Sequence, residues 1–167
     1  MIFKNKKSLG QNFLIDRDIL EQIVSITEIF NKEILEIGPG SGNLTTYLLK
    51  KKPKKFYVVE KDDDLALLLK EKFDDEIKII NDDILKVSEN KISSQKLTVF
   101  GNLPYNISSQ ILAKLIKFKN WPPKYSNLIL MFQKEMAERI TGIFGTKKYG
   151  RISILCQYRL KLLKQFD

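Results

Sequence analysis

Short apolar runs alternate with segments of helical periodicity along most of the chain. The apolar runs predict five β-strands, at residues 34–37, 56–59, 77–80, 97–100 and 128–132, with the start of a sixth at 160–163. Apolar positions three and four residues apart predict helices at 19–26, 44–49, 64–73, 108–118, 134–140 and 151–158. Strands separated by helices are typical of βαβ units. The pattern therefore predicts an α/β fold, with a mostly parallel sheet covered by helices on both faces.

Two of these helices begin beside a residue that can act as an N-cap. Asp16 precedes the first helix, and Ser108 starts the helix that follows the fourth strand. The side-chain oxygens of Asp and Ser can accept hydrogen bonds from backbone N–H groups of the first helical turn. We therefore expect both helices to be capped by these side chains.

A glycine-rich turn, Gly38-Pro39-Gly40-Ser41-Gly42, follows the first predicted strand. Ligands of open α/β sheets bind at the carboxyl ends of the strands, where glycine lets a ligand approach the backbone closely. The G-x-G-x-G spacing differs from the dinucleotide fingerprint G-x-G-x-x-G, and the lack of a following lysine argues against a triphosphate site. Such a turn is a weak signal alone, because many glycine turns only reverse the chain.

Acidic residues at the ends of the next two strands strengthen this interpretation. Glu60 ends the second strand and could accept hydrogen bonds from both hydroxyls of a ribose. Asp83 follows the third strand, where its carboxylate or a backbone amide could meet an adenine ring. Each acid is also compatible with an ordinary solvated turn, since other acids lie beside it. Together, the strand-end positions favour a site for a cofactor that contains a nucleoside.

The fourth strand leads directly into Asn102-Leu103-Pro104-Tyr105. Pro104 restricts the backbone, so the Asn102 side-chain oxygen and the Leu103 carbonyl could both accept from one exocyclic amine. An aromatic amine is a poor nucleophile because its lone pair is delocalised, and two such acceptors would favour the tetrahedral geometry that frees it. Tyr105 could stack on an extruded base. By itself, the motif is also compatible with a common turn.

Composition narrows the possible functions. The chain has no histidine, which excludes Ser-His-Asp and Cys-His catalysis and histidine-ligated metal sites, and we expect no metal. The single cysteine, Cys156, lies in an apolar run and cannot form an internal disulfide. We expect its side chain to be buried and the protein to occupy a reducing compartment. The sequence shows neither a signal peptide nor a stretch long enough to span a bilayer, so we expect no membrane partner.

The net charge of +9, from 29 basic and 20 acidic residues, is compatible with a nucleic-acid partner. It is equally compatible with a lysine-rich surface that maintains solubility. The densest basic run, residues 50–55, joins a predicted helix to the second strand. It should therefore lie at the amino end of the sheet, opposite the expected site, and we interpret it as a solvated connector.

Several motifs occur in a fixed order: KSLGQNFL at 7–14, EIGPGSGNLT at 36–45, NLPYNIS at 102–108, QKE at 133–135 and YGR at 149–151. With them the chain closely resembles the ribosomal RNA adenine dimethyltransferase family of the KsgA type, over essentially all 167 residues. The resemblance implies a Rossmann-like class I methyltransferase fold with S-adenosylmethionine as cofactor. It also implies dimethylation of the 6-amino groups of two adjacent adenosines near the 3′ end of small-subunit ribosomal RNA.

The resemblance implies roles for individual residues as well. Those lining the S-adenosylmethionine pocket would be Asn12, Leu14, Gly38, Gly40, Glu60, Asp83 and Asn102. Those carrying methyl transfer would be Asn102, Leu103, Pro104 and Tyr105. Those contacting the RNA would be Gln11, Phe13, Tyr105, Lys7, Lys147, Lys148 and Arg151, of which Gln11 and Phe13 would orient the target base.

Family members extend beyond the last residue of this sequence, with a final antiparallel strand and a small helical domain. We therefore expect residues 1–167 to form the catalytic domain without the C-terminal substrate domain, with a sheet truncated before the last strand. The tail from Leu160 would then lack its normal neighbour. We also expect such a chain to bind cofactor but to methylate its natural substrate poorly, because the helical domain helps to bind the ribosomal subunit.

We expect a cytoplasmic monomer that acts on a pre-30S-type particle. Two alternatives stay open: a large-subunit ribosomal RNA adenine methylase of the macrolide-resistance type, and a non-catalytic RNA-binding assembly or transcription factor with the same fold. Leu103 and the segment 148–151 favour the small-subunit enzyme over the first, and the intact motif at 102–105 argues against the second. A DNA adenine methylase is disfavoured, because that group typically has an acidic or Asn-Pro-Pro-aromatic motif.

Overall fold

The computed structural model describes residues 14–88, 92–117, 123–163 and 166. At its centre is a sheet of five parallel strands in the order β3-β2-β1-β4-β5. The strands are β1 Glu33–Ile37, β2 Lys55–Glu60, β3 Lys78–Asn81, β4 Leu97–Asn102 and β5 Tyr125–Met131. The strand order reverses between β1 and β4, which places the expected ligand site at the carboxyl ends of these two strands.

The described residues contain six α-helices: α1 Arg17–Ser25, α2 Asn43–Lys50, α3 Asp63–Phe73, α4 Ser108–Ile116, α5 Lys134–Ile140 and α6 Arg151–Arg159. Asp16 caps α1 as predicted, because its side chain accepts hydrogen bonds from the N–H groups of Asp18 and Ile19. Asp62 caps α3 in the same way. Within the described part of the chain, no helix is long and apolar enough to cross a bilayer.

Side-chain alternation along the strands builds a core on each face of the sheet. In β1, Ile34 packs on the face covered by α1, α2 and α3, whereas Leu35 and Ile37 pack on the face covered by α4, α5 and α6. Burying one such side chain contributes about 1.5–3 kcal/mol, so the two cores hold the helices against the sheet. Cys156 of α6 belongs to the second core and is buried, as predicted.

The predicted strands and helices agree with the structure to within a few residues, but one predicted cap is wrong. Ile107, not Ser108, is the N-cap of α4. The physical reason is the turn before the helix, in which the Ile107 N–H donates to the Pro104 carbonyl at 3.2 Å. The Ser108 hydroxyl donates to the Tyr105 carbonyl at 3.3 Å, so it closes this turn instead of capping α4. The predicted end of this helix, Phe118, lies outside the described residues.

The predicted start of a sixth strand is also wrong, since the described residues 160–163 form no strand. The Leu160 N–H instead donates to the Cys156 carbonyl at 2.7 Å, at the C-terminal end of α6. Leu160 and Leu162 pack, partly buried, against the core, while Leu163 is 67% exposed. An apolar run forms a strand only where a neighbour satisfies its backbone groups, and among the described residues β5 pairs with β4 alone.

Candidate active site

One cavity lies at the carboxyl ends of β1, β2 and β4 and brings together eight of the twelve predicted site residues that belong to the described part of the chain. From that set it is lined by Leu14, Gly38, Gly40, Glu60, Asp83, Asn102, Leu103 and Pro104. Tyr105 does not line the cavity in the part of the chain that the structure describes, and 41% of its surface is exposed. The remaining predicted residues near the N-terminus, Lys7, Gln11, Asn12 and Phe13, lie outside the described residues.

Gly38 keeps part of this cavity open. Its φ is +65°, and its N–H donates to the Val59 carbonyl of β2 at 2.9 Å. A Cβ added to Gly38 would meet no other atom within 4 Å, so a larger side chain would occupy open space in the cavity. Both the left-handed backbone and the open space favour glycine. The geometry suits a ligand that approaches the backbone closely at this point.

Gly42 is required for a different reason, the packing of α2 against α3. Its φ is +78°, and a Cβ there would lie 2.5 Å from the ring of Phe73 and 3.0 Å from Leu69. Gly42 immediately precedes α2 and allows the chain to enter that helix without a clash. The two glycines therefore serve separate purposes, one towards the ligand and one towards the core.

Glu60 ties the glycine turn to the end of β2. One carboxylate oxygen accepts a hydrogen bond from the Gly40 N–H at 3.1 Å, and the other accepts from the Asp62 N–H at 2.9 Å. Burial raises the pKa of Glu60 above its ordinary value, although the backbone N–H groups of Asp62 and Gly40 oppose this shift. A carboxylate has about four lone-pair positions, so capacity remains for further donors such as hydroxyl groups.

Glu36 is a residue of this site to which the sequence pattern assigned no role. It lines the cavity, is 2% exposed, and accepts a hydrogen bond from the Thr45 hydroxyl of α2 at 2.7 Å. Burial raises the pKa of Glu36 to about 8; the Thr45 hydrogen bond opposes the rise and the charge of Glu60 adds to it. A signal was present in the sequence, because an acid interrupts the apolar run of β1.

Asp83 lies in the cavity but is already engaged by the protein. Its carboxylate accepts hydrogen bonds from the Leu85 N–H at 2.9 Å and from the Lys61 ammonium at 2.9 Å. The Leu85 N–H and then Lys61 lower the pKa of Asp83 below its ordinary value. Asp83 is therefore a fixed negative charge at the end of β3, with Lys61 beside it in the cavity lining.

The segment 102–105 is held by its surroundings at the end of β4. Asn102 is the last residue of that strand and pairs with Met131 of β5. Leu103 is 1% exposed and belongs to the core, and the turn bond from Ile107 to Pro104 follows it. The buried Leu103 side chain anchors the segment, so its polar groups occupy defined positions at the cavity.

The predicted basic residues differ in their surroundings. Lys147 and Arg151 are exposed, whereas the ammonium of Lys148 forms an ion pair with Glu138 at 2.5 Å. The basic run at 50–55 joins α2 to β2 at the amino end of the sheet, which confirms that it is a connector remote from the cavity. Among the described residues, no group of three or more His, Cys, Asp or Glu side chains is placed to hold a metal ion.

The model of the family "Ribosomal RNA adenine dimethylase" matches residues 2–163. The chain belongs to this family. Membership confirms the resemblance inferred from the motifs and, with the parallel sheet, the class I methyltransferase fold. It also confirms S-adenosylmethionine as the cofactor of the family.

Two similar proteins carry the name Ribosomal RNA small subunit methyltransferase A. The one from Pelagibacter ubique (strain HTCC1062) is 69% identical over 167 residues, which are 100% of this chain and 64% of that protein. The one from Zymomonas mobilis is 40% identical over 156 residues, 92% of this chain and 56% of that protein. The chain therefore spans about three fifths of the length of these relatives.

Two solved structures share the fold at higher sequence divergence. A dimethyladenosine transferase from Plasmodium falciparum is 30% identical, with a TM-score of 0.75 over 87% of this chain and 52% of that chain. The 23S rRNA methyltransferase ErmE is 29% identical, with a TM-score of 0.69 over 80% of this chain and 53% of that chain.

Proposed function

We propose that this chain transfers methyl groups from S-adenosylmethionine to the 6-amino group of adenine in small-subunit ribosomal RNA. The observation that carries the proposal is that residues 38–41 of the glycine turn, Glu60 and residues 102–104 meet at one cavity. A site for a nucleoside-containing cofactor and two acceptors for an aromatic amine are thereby adjacent. Because the chain spans only part of its relatives, the activity, substrate and partners of the whole protein are all part of this proposal.

The cavity residues fit the cofactor in charge and shape. Gly38 leaves open space for it, and the buried carboxyls of Glu36 and Glu60 have no ion-pair partner among the described residues. S-adenosylmethionine supplies a methyl group that its positively charged sulfonium has already activated. Glu60 would bind the ribose hydroxyls through its remaining lone pairs, and Asp83 would orient the adenine ring.

Two neutral acceptors act on the adenine to be methylated. The Asn102 side-chain oxygen and the Leu103 carbonyl would accept from its amino group, orienting the nitrogen lone pair for in-line attack. Tyr105 follows Pro104 of the cavity lining and is partly exposed, and it would stack on the extruded base. No side chain is needed as a strong base, since the methylated amine is positively charged when formed and loses its proton easily.

The expected substrate is a pair of adjacent adenosines near the 3′ end of the small-subunit RNA, each dimethylated, within a pre-30S-type particle. The names of the relatives from Pelagibacter ubique and Zymomonas mobilis support the small subunit. We further propose that the protein acts as a cytoplasmic monomer. The likeness to ErmE makes a large-subunit adenine the second candidate.

Parallel assays separate these candidates. The protein and labelled S-adenosylmethionine are incubated with unmethylated small-subunit particles, large-subunit RNA and duplex DNA. We expect label in the small-subunit particles, at adenine. Label only in large-subunit RNA would replace the first candidate with the second, and RNA binding without any label would support a non-catalytic assembly factor.

An Asn102→Ala variant tests the assigned chemistry. We expect methyl transfer to fall by roughly 100-fold or more, as for loss of other groups that act mainly in the transition state. Cofactor affinity, measured by calorimetry, should be at least partly retained. Asn127→Ala is the matched control, because Asn127 is exposed on the neighbouring strand β5. Equal rates in the two variants would remove Asn102 from its role.

A further inference from the structure

The loop between α5 and α6 exposes two large apolar side chains. Ile143 is 73% exposed and Phe144 is 83% exposed. Neither lines the cavity within the described part of the chain, and the proposed methyl transfer uses neither. A contiguous apolar pair on a surface marks an interaction site more often than isolated exposed residues do.

Hydrogen bonds hold this loop in a defined shape. The Thr146 N–H and hydroxyl both donate to the Ile143 carbonyl, at 3.1 and 2.7 Å, and Gly145 has a φ of +86°. At the base of the loop, the Gln157 amide of α6 donates to the Gly142 carbonyl at 2.7 Å. The exposure of Phe144 is therefore a property of a folded turn.

Among the described residues, Phe144 has an aromatic contact with Tyr149. Its ring meets that of Tyr149 edge-to-face, with centroids 5.6 Å apart and an interplanar angle of 84°. Such contacts orient an aromatic ring, and the exposure of Phe144 shows that most of its surface is still accessible. A fixed and accessible ring of this kind can stack on a flat partner.

The surroundings of the loop are basic. Residues 134–159 carry six basic and two acidic side chains. Lys147 and Arg151 are exposed, and neither forms an ion pair with any described residue. A polyanion that also offers flat apolar faces matches this combination. Unpaired RNA has these properties, whereas a duplex hides its base faces within the stack.

One short helix, α5, connects the end of β5 to the loop. Helix α5 begins three residues after Met131, the last residue of β5, and its seven residues span about 10 Å. RNA whose adenine enters the cavity could therefore extend to the loop.

We propose that Phe144, supported by Tyr149, is a stacking site for an unpaired RNA base outside the catalytic cavity. Lys147 and Arg151 bind the adjoining phosphates. The identification of the RNA as ribosomal rests on the proposed function, but the stacking site itself does not.

Binding measurements with two probes test this site. Fluorescence anisotropy compares a short labelled oligoadenylate with an RNA duplex of equal length, for the parent protein and for Phe144→Ala and Phe144→Trp. Phe30→Ala is the matched control, because Phe30 is 63% exposed and lines a surface cleft with Lys51 of the other basic region. Circular dichroism verifies that each variant is folded.

We expect Phe144→Ala to weaken oligoadenylate binding by roughly 5- to 100-fold, the range for loss of one stacked base, with little change for the duplex. Phe144→Trp should bind oligoadenylate about as tightly as the parent, because tryptophan can also stack on a base. Phe30→Ala should leave oligoadenylate binding unchanged. Equal losses on both probes, or no loss on either, would overturn the proposal. So would sedimentation showing that Phe144→Ala abolishes self-association of the parent, since the surface would then bind a second copy.

The same variants in the methylation assay separate the two proposals. If the parent methylates small-subunit particles while Phe144→Ala binds oligoadenylate normally, the stacking site fails and the proposed function stands. If the parent methylates none of the substrates while Phe144 still determines oligoadenylate binding, the stacking site stands and the proposed function fails.

Discussion

Two buried glutamates on β1 have opposite electrostatic surroundings. Glu33 begins the strand at the amino end of the sheet and is 5% exposed; Glu36 lies three residues later, towards the cavity, and is 2% exposed. Because side chains alternate along a strand, the two carboxyls are on opposite faces of the same sheet. Both side chains are nearly inaccessible to solvent, but Glu36 lies much deeper in the protein than Glu33.

Glu33 is stabilised as a charged group by the protein itself. Its carboxylate accepts from the Ser93 hydroxyl at 2.6 Å and the Tyr57 hydroxyl at 3.4 Å, and Lys55 lies 3.6 Å away. Burial raises the pKa of Glu33, but Ser93, Lys55 and Tyr57 together outweigh burial and lower it. The charge at the amino end is therefore satisfied within the fold.

Glu36 has much weaker compensation. Among the described residues, Thr45 is its hydrogen-bond donor, and the nearby charge is that of another acid, Glu60. The protein keeps at the cavity a carboxyl that a positively charged ligand would stabilise. The comparison shows that the fold compensates the acid at the amino end of β1 and leaves the deeper acid at the cavity with little compensation, which is typical of a ligand-binding site.

The largest expected effect is on the pH dependence of stability in Glu36→Gln. The raised pKa means that the folded state holds a proton which the unfolded state loses above about 4.5. The unfolding free energy of the parent should therefore fall as pH rises from 4.5 to about 8. At about 1.4 kcal/mol for each pH unit, the fall is at most about 5 kcal/mol. Glu36→Gln should lack it.

Urea unfolding of the cofactor-free protein across this pH range measures the effect. The parent and Glu36→Gln should have similar stability near pH 4.5 and diverge towards pH 8, with the variant more stable. Parallel curves would show that Glu36 does not bind a proton on folding. The variant should also bind S-adenosylmethionine more weakly, with a smaller loss for S-adenosylhomocysteine, whose sulfur carries no positive charge.

The next largest effect is expected for Glu60→Gln. A glutamine amide cannot accept from both the Gly40 and the Asp62 N–H groups, because one of its two terminal atoms is itself a donor. The neutral amide would also accept more weakly from the ribose hydroxyls, and we expect cofactor affinity to fall by roughly 10- to 100-fold, the range for one hydrogen bond to a charged group. Calorimetry measures this loss. Asp63→Asn, at an exposed acid nearby, should leave the affinity unchanged.

The smallest effect is expected for Glu33→Gln, and it concerns the free energy of unfolding instead of cofactor affinity. It should lower the unfolding free energy at pH 7 by about 1–2 kcal/mol, because the hydrogen bonds to a charged acceptor weaken. Since the folded pKa of Glu33 is lowered, its contribution is present above 4.5 and is lost as pH falls through the folded value. The deficit should therefore shrink in acid. A loss of cofactor affinity in this variant would contradict the separation of the two ends.

Much of the fold could be predicted because local pattern and tertiary environment agree. The apolar runs became β1 to β5, Asp16 capped α1, and Cys156 was buried. Predictions failed where the surrounding structure, and not the local sequence preference, decided the conformation. Ser108 has a capping side chain, yet the turn at Pro104 uses its hydroxyl. Leu160 has an apolar neighbourhood, yet no described strand pairs with it.

In the candidate site, too, some features could be predicted from the sequence and others could not. Gly38, Glu60 and Asn102 could be placed because parallel strands end at one edge of a sheet, so strand-end residues far apart in sequence come together. The engagement of Asp83 by Lys61 and of Lys148 by Glu138 depends on side-chain positions that no spacing specifies. The roles of these residues in binding remain predictions for the assays above.

The sequence by itself determined the α/β alternation, the order of the motifs and the residue types that the chemistry requires. These follow from periodicity and composition, which are local properties. Only the tertiary structure decided which of the two acids on β1 has its charge compensated by neighbouring groups of the protein, and which lies at the cavity with little compensation. That difference arises because the energy of a buried charge depends on groups brought to it from other elements, such as Ser93 for Glu33 and Glu60 for Glu36.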